Sequence, residues 1–217
     1  MTTQEQFQRR GPTARFLPVG ETALLVELDD QQAVLALHAE IGRRRAAGWA
    51  PSLTDVIPAA RTILLDGVTD RAAVAGQIAS WPVPAVAVAD GPVVEIPCCY
   101  TGEDLTAVAA AWRVSEQDVG RIHAATAYRV AFCGFVPGFA YLTGLPERYA
   151  VPRRPSPRTV VPAGSVALAD TYTGVYPRPS PGGWQIIGHT DAVLWDPGQE
   201  PPGLLAPGHR VRFVDVG

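Results

Sequence analysis

The sequence predicts an α+β protein in two parts, a ferredoxin-like α/β sandwich followed by a closed or nearly closed β-barrel. Three observations predict it. Strand-like and helix-like segments alternate over the first 90 residues in the order β-β-α-β-β-α-β. After a short helical stretch, short apolar strands recur at roughly ten-residue spacing between Gly/Pro turns, the texture of a barrel. Between the two textures stand "WPVPA" (81–85) and "DGPV" (90–93). The boundary is expected near residue 88, giving a first domain at 14–88 and a second at 89–217.

Taken in order, residues 1–13 are polar and expected to fray. "RFLPVGETALLVEL" (15–28) reads as two strands around a turn at Gly20. "QQAVLALHAEIGRRRAAG" (31–48) aligns Val34, Leu37, His38 and Ile41 on one helix face, and Gly48 ends it. "LTDVIPAARTILLDG" (53–67) is strand-rich, with Pro58 at an edge or bend. "TDRAAVAGQIASW" (69–81) is a second helix, and "AVAVAD" (85–90) a further strand. "EDLTAVAAAWR" (103–113) and "SEQDVGRIHAAT" (115–126) are helices, the latter capped by Ser115. The strands "YRVAFCGFVPGFAYL", "SVALADTYTGVYP", "GGWQIIGHT", "AVLWD" and "HRVRFVDV" complete the barrel.

The composition bounds the chemistry. With 47% hydrophobic and 18% charged residues, the 217-residue chain can bury a sizeable core. A net charge of −3 points away from nucleic acid. All 18 basic residues are arginine, so the chain supplies no P-loop lysine, no Schiff base and no attachment point for biotin. Cys98, Cys99 and Cys133 show no metal-ligand spacing and read as buried free thiols of a reducing cytoplasm. The N-terminal stretch lacks the apolar core of a signal peptide, and no run is long enough to span a bilayer. No metal site and no membrane association are expected.

No catalytic residue declares itself. The four histidines show no ligand spacing. His123 shares a face with Val119, Ile122 and Thr126 and reads as a hydrogen-bonded core residue, whereas His189, beyond "WQII", is placed where a ligand could reach it. Ser165 lies in "VPAGSV", outside any nucleophile elbow, and Cys133 has no cationic neighbour. The arginines say more. "PRRPSPR" sets Arg153, Arg154 and Arg158 on a proline-stiffened segment, where a guanidinium loses little entropy on engaging a carboxylate or phosphate. Around it, "GFVPGFAYL" (134–142), "PAGSV" (162–166) and "TGVYPRPSPGGW" (173–184) bring glycines for close backbone approach, and the aromatics Phe139, Tyr176 and Trp184. The tetrapeptide "RPSP" occurs at 154–157 and again at 178–181.

These segments in this order resemble the family of 5-oxoprolinase B subunits, also labelled allophanate hydrolase subunit 1 and carboxyltransferase domain C/D. The run from "GFVPGFAYL" through "GGWQIIGHT" carries the resemblance, extended by "PCCYTGEDL", "HAATAYRVAFCGF" and "PPGLLAPGHRVRFV". The family implies a ferredoxin-like domain followed by a cyclophilin-like barrel. It also implies partners, a homologous C-type subunit with a further A-type one, in a complex that opens 5-oxoproline to glutamate at the expense of ATP. A chain of this kind is expected to be inactive alone. Arg153 and Arg158 are expected to hold an anion, with Ser165, Tyr176, Trp184, Gln185 and His189 around a pocket for a small amide. Kinase-inhibitor members of the family share the barrel motif, so regulation of a sensor histidine kinase is the alternative. Two departures stand out: "LADTYTG" puts Asp170 and Tyr172 where the family commonly has a glycine and an amide, and His209 replaces a usual acid. They make allophanate or another amide a substrate to consider beside 5-oxoproline.

Overall fold

The computed structural model describes residues 14–50, 52–81 and 91–217, and the chain divides into two compact units, Met1–Ala89 and Asp90–Gly217. The strand expected at 85–90 and the proposed boundary both lie outside the described residues.

In the first unit, β1 (Arg15–Val19) and β2 (Ala23–Glu27) form an antiparallel hairpin around Gly20, whose φ of +51° favours a residue without a side chain. The helix α1 (Gln31–Ala46) starts on Asp30, which accepts a hydrogen bond from the Ala33 amide at 2.8 Å. Next come β3 (Asp55–Pro58), β4 (Thr62–Asp66) and α2 (Arg71–Ser80), the last capped by Asp70. The sheet order is β1-β2-β4-β3, antiparallel throughout. Pro58 therefore sits on an edge strand, where its missing N–H costs no ladder bond. Leu24, Val26, Ile63 and Leu65 from the sheet pack with Val34, Leu37, Ile41 and Ile78 from the helices. The helices α1 and α2 bury these residues because their apolar positions recur every three or four residues.

The second unit holds β5 (Val93–Cys98), α3 (Leu105–Trp112), α4 (Glu116–Ala125), β6 (Tyr128–Cys133), β7 (Ala140–Thr143), β8 (Arg158–Val161), β9 (Ser165–Ala169), β10 (Tyr172–Val175), β11 (Ser180–Gly182), β12 (Gln185–His189) and β13 (Arg210–Asp215). Seven of its strands form one sheet in the order β12-β9-β10-β7-β6-β13-β5. The two ends of that sheet meet. Cys99, directly after β5, exchanges two backbone hydrogen bonds of 2.9 Å with His189 at the end of β12. This seam makes the barrel nearly closed and leaves little unpaired edge.

Side-chain alternation gives the barrel two apolar layers. Val166 and Leu168 of β9, Leu142 of β7 and Ile187 of β12 point inward with Ile96, Tyr128, Val130 and Phe213, and α3 adds Val108 and Trp112. Their neighbours Ala167, Ala169, Tyr141 and Ile186 point outward and meet Phe139, Tyr176 and Trp184. The outer layer is covered by the two-stranded sheet of β8 and β11; one "RPSP" segment ends directly before β8 and the other ends within β11. The repeated tetrapeptide thus stiffens the approach to both strands of one flap.

His123 is fully buried, as its helix position predicts, with Nδ1 2.8 Å from the Tyr100 hydroxyl and Nε2 3.3 Å from Thr173 Oγ1. Burial pushes its pKa down to about 3. Cys98 is buried, whereas Cys99 and Cys133 are only half-buried, and all three thiols are free. Burial pushes the Cys98 thiol up to about 12 and Cys133 to about 11, so neither is a ready nucleophile.

Candidate functional site

An aromatic cleft of about 280 Å³ opens between the flap and the outer face of the barrel. Its floor is built by alternation. Phe139, directly before β7, and Tyr141 within it reach the outer layer, and Tyr176 directly follows β10. Trp184, at the start of β12, meets Phe139 at 5.4 Å and Tyr141 at 5.5 Å, edge to face in both cases. Phe139 meets Tyr176 at 5.3 Å in the same way. These rings fit because Gly174 has no side chain: a Cβ there would lie 2.8 Å from Phe139 and 3.0 Å from Trp184. Gly182 makes a similar allowance on the flap, where a Cβ would collide with the Tyr176 hydroxyl. Pro157 and Pro181, the last residues of the two "RPSP" segments, also line the cleft.

Arg153 supplies the charge. It is exposed at the cleft, without an ion-pair partner among the described residues, and its charge is felt by the Tyr141 and Tyr176 phenols. Burial outweighs that influence and raises both phenols above their ordinary range, so they are neutral donors at neutral pH. The cleft therefore offers flat apolar walls, two hydroxyls and one guanidinium. That set suits a small, flat molecule carrying one negative charge.

Of the residues expected around the pocket, the structure brings Arg153, Tyr176 and Trp184 together and places the others elsewhere. Arg158 is not among the residues lining the cleft and joins an ion cluster around the buried Asp104. It donates to Asp104 at 3.0 Å and to Glu103 at 3.1 Å and 3.2 Å. Arg154 also pairs with Asp104, which accepts the Ile186 amide at 2.7 Å as well. Burial is the largest single influence on Asp104 and opposes its charge. The Arg158 hydrogen bond, the Ile186 amide and the two guanidinium charges together still hold its carboxyl below the usual range. Arg158, expected to hold an anion, has Asp104 and Glu103 as its partners among the described residues.

Gln185 ties down the proline segment, donating to the Pro152 carbonyl at 3.1 Å. Ser165 is buried within β9, facing His189 across the sheet. His189 sits at the barrel seam, at the far end of β12 from Trp184, with Nε2 3.3 Å from Asp191. The departure positions Asp170 and Tyr172 lie near the outer layer: Tyr172 meets Tyr141 at 5.8 Å, and Asp170 adopts a φ of +54°. His209 lies apart, close to the Ala206 amide. Sequence reasoning missed Phe135 and Tyr141 in the cleft and Asp104 behind it. The glycines flanking "GFVPG" signal a tight turn at Phe135, but nothing local pairs Asp104 with arginines fifty residues away.

The chain superposes on the Kluyveromyces lactis urea carboxylase with a TM-score of 0.72, over all of this chain and 23% of that one, at 16% identity, a likeness of fold alone. Sequence takes the assignment further: residues 14–205 match the family described as carboxyltransferase domain, subdomain C and D, and the chain belongs to that family. It is 40% identical over 210 residues to the 5-oxoprolinase B subunit of Escherichia coli O157:H7, covering 93% of this chain and 95% of that protein. The solved structure of TTHA0988 is 35% identical, with a TM-score of 0.73 over 95% of this chain. This chain spans only 40% of the TTHA0988 chain.

Proposed function

We propose that this chain is a non-autonomous subunit of an ATP-dependent amidohydrolase complex, acting on 5-oxoproline or on a related amide such as allophanate. The reading rests on kinship with the 5-oxoprolinase B subunit of Escherichia coli O157:H7 and on one observation, the Arg153 guanidinium beside an aromatic cleft, without an ion-pair partner among the described residues. A cyclic amide carboxylate matches that cleft. Its carboxylate pairs with Arg153, its flat ring lies against Trp184 and Tyr176, and a phenol donates to its amide oxygen. A lactam resists hydrolysis because its amide is a poor electrophile, and phosphorylating the oxygen supplies the missing leaving group. What this chain contributes is binding and orientation, which fix the amide oxygen towards the transferring group.

The cleft does not fit a nucleoside triphosphate on its own. It offers one guanidinium for several phosphate charges, and among the described residues no group of three acidic, histidine or cysteine side chains could hold a metal ion. ATP belongs to the assembled complex, whose other members are a homologue of the C type and a further protein of the A type. A cytoplasmic setting accords with the free cysteines, and no helix among the described residues is long and apolar enough to cross a membrane. The domains of this reading are 14–88, ferredoxin-like, and 89–217, a cyclophilin-like barrel. In support, β1 occupies the sheet edge beside β2 that the last strand of a ferredoxin-like fold would take.

The test is a tagged pull-down from the native cell, followed by ATP hydrolysis with 5-oxoproline or allophanate added. Stimulated turnover carried by a co-purifying C-type homologue supports the reading, and the preferred amide names the substrate. A stoichiometric complex that neither amide stimulates removes it.

A further inference from the structure

One aromatic residue of the cleft stands in a conformation that its packing does not reward. Phe135 has φ +73°, a region that bulky side chains avoid. The Val136 amide donates across it to the Gly134 carbonyl at 3.0 Å, so Phe135 is the apex of a γ-turn of the rare, strained, positive-φ kind. Two further bonds lock the loop: the Phe139 amide to the Val136 carbonyl at 3.0 Å, and the Gly134 amide to the Phe139 carbonyl at 3.1 Å. Gly138, at φ +84°, closes the turn where a Cβ would lie 2.7 Å from Trp195.

Strain of this kind persists only where the surroundings impose it, and burial is not what it achieves here. Phe135 remains 55% exposed. It stands edge-on to Phe139 at 5.5 Å and to Tyr176 at 6.3 Å, forming the outermost wall of the cleft. Leucine or glycine would suit the core equally well, and glycine would suit the backbone better. What the turn does secure is a flat apolar face, held rigid at the mouth of a site whose floor is already aromatic.

We infer that Phe135 is a specificity-determining residue of the cleft, which selects a small cyclic amide carboxylate over an open-chain one. The inference rests on the proposed function of the same cleft. A ring resting on Trp184 and Tyr176 buries its outer edge against Phe135, whereas an open-chain amide presents no such edge. The ring gains contact without an ordering cost, because the turn has already fixed the phenyl group.

The complex assembled with wild-type chain, Phe135→Gly or Phe135→Leu provides the test. KM is read for 5-oxoproline, and an inhibition constant for its open-chain analogue N-acetylglycine. The expected result for Phe135→Gly is a KM for 5-oxoproline raised about tenfold, with kcat and the N-acetylglycine constant within about threefold of wild type. Phe135→Leu falls between. The melting temperature of the Phe135→Gly chain stays at or above that of the wild type, because strain is removed and little core is lost. An unchanged KM, an equal loss for both ligands, or a melting temperature lowered by several degrees overturns the inference. A wild-type complex without 5-oxoproline-dependent turnover overturns the reading of the cleft itself. That failure is distinguishable, because loss of the Phe135 role alone leaves the wild type active.

Discussion

Arg158 and Asp104, 54 residues apart, are joined by a 3.0 Å hydrogen bond that fastens the flap to the start of α3. Arg158 opens β8, and Asp104 also holds Arg154 and the Ile186 amide of β12. Through its bonds to Arg154 and Arg158, Asp104 fixes both ends of the segment carrying Pro157 and anchors the chain next to Arg153. Two neighbouring arginines differ: Arg154 pairs with Asp104, whereas Arg153 lines the cleft and makes no ion pair among the described residues.

Asp104→Ala removes a buried carboxylate from two guanidinium groups and orphans the Ile186 amide. The expected loss is about 3–5 kcal/mol of stability, the usual cost of breaking a buried pair from one side. Denaturant titration measures it. Pairing it with Arg158→Ala in a double-mutant cycle should give strongly non-additive losses. Additive losses would mean that the two groups do not share one interaction.

Trp184 is at once floor of the cleft and core of the outer layer, only 5% exposed. Trp184→Ala is expected to destabilise the chain by about 3–5 kcal/mol. Gly174→Ala drives a methyl group into the Phe139 and Trp184 rings and should cost about 1–3 kcal/mol. Thermal unfolding of each variant checks both values. A Trp184→Ala chain that melts with the wild type would make the ring a free wall rather than core.

Acid stability carries the signature of His123. Its folded pKa of about 3 lies below the ordinary 6.5, so the unfolded chain binds the proton first. The stability due to a neutral His123 is whole above pH 6.5. It falls by about 1.4 kcal/mol per pH unit as the pH drops towards 3. Asp104, whose carboxyl is depressed, adds a further loss at the acidic end in the same direction. Denaturant titrations at about pH 7.5, 5.5 and 4.5, with a His123→Gln control, should show a slope that the control flattens. The same slope in the control would place the acid sensitivity elsewhere.

The strand and helix order was legible because alternation and caps are local. Asp30, Asp70 and Ser115 each accept the amide expected of an N-cap, and Gly20 and Gly48 turn the chain where glycine was needed. The aromatic part of the site was legible for a related reason. Phe139, Tyr176 and Trp184 flank turns, and outward alternation beside a turn leads to a surface cleft. The charged part was not. Arg153, Arg154 and Arg158 look alike in sequence, and only the tertiary position of Asp104 separates Arg154 and Arg158 from Arg153, which has no ion pair among the described residues. The place of His189 was not legible either, because a residue after an apolar run reads as a loop residue, whereas here its backbone closes the barrel on Cys99. Phe135 was hidden because Gly134 and Gly138 mark a turn but do not say which residue between them takes the positive φ.

The most direct test is the KM for 5-oxoproline of the assembled complex carrying Arg153→Ala, with ATP hydrolysis as the readout. Arg153 makes no ion pair among the described residues, so the variant chain should melt with the wild type. The predicted KM is raised about 10- to 100-fold, the worth of one charged hydrogen bond of about 1.5–3 kcal/mol. A well-folded Arg153→Ala complex with an unchanged KM would contradict the assignment of this cleft as the amide site.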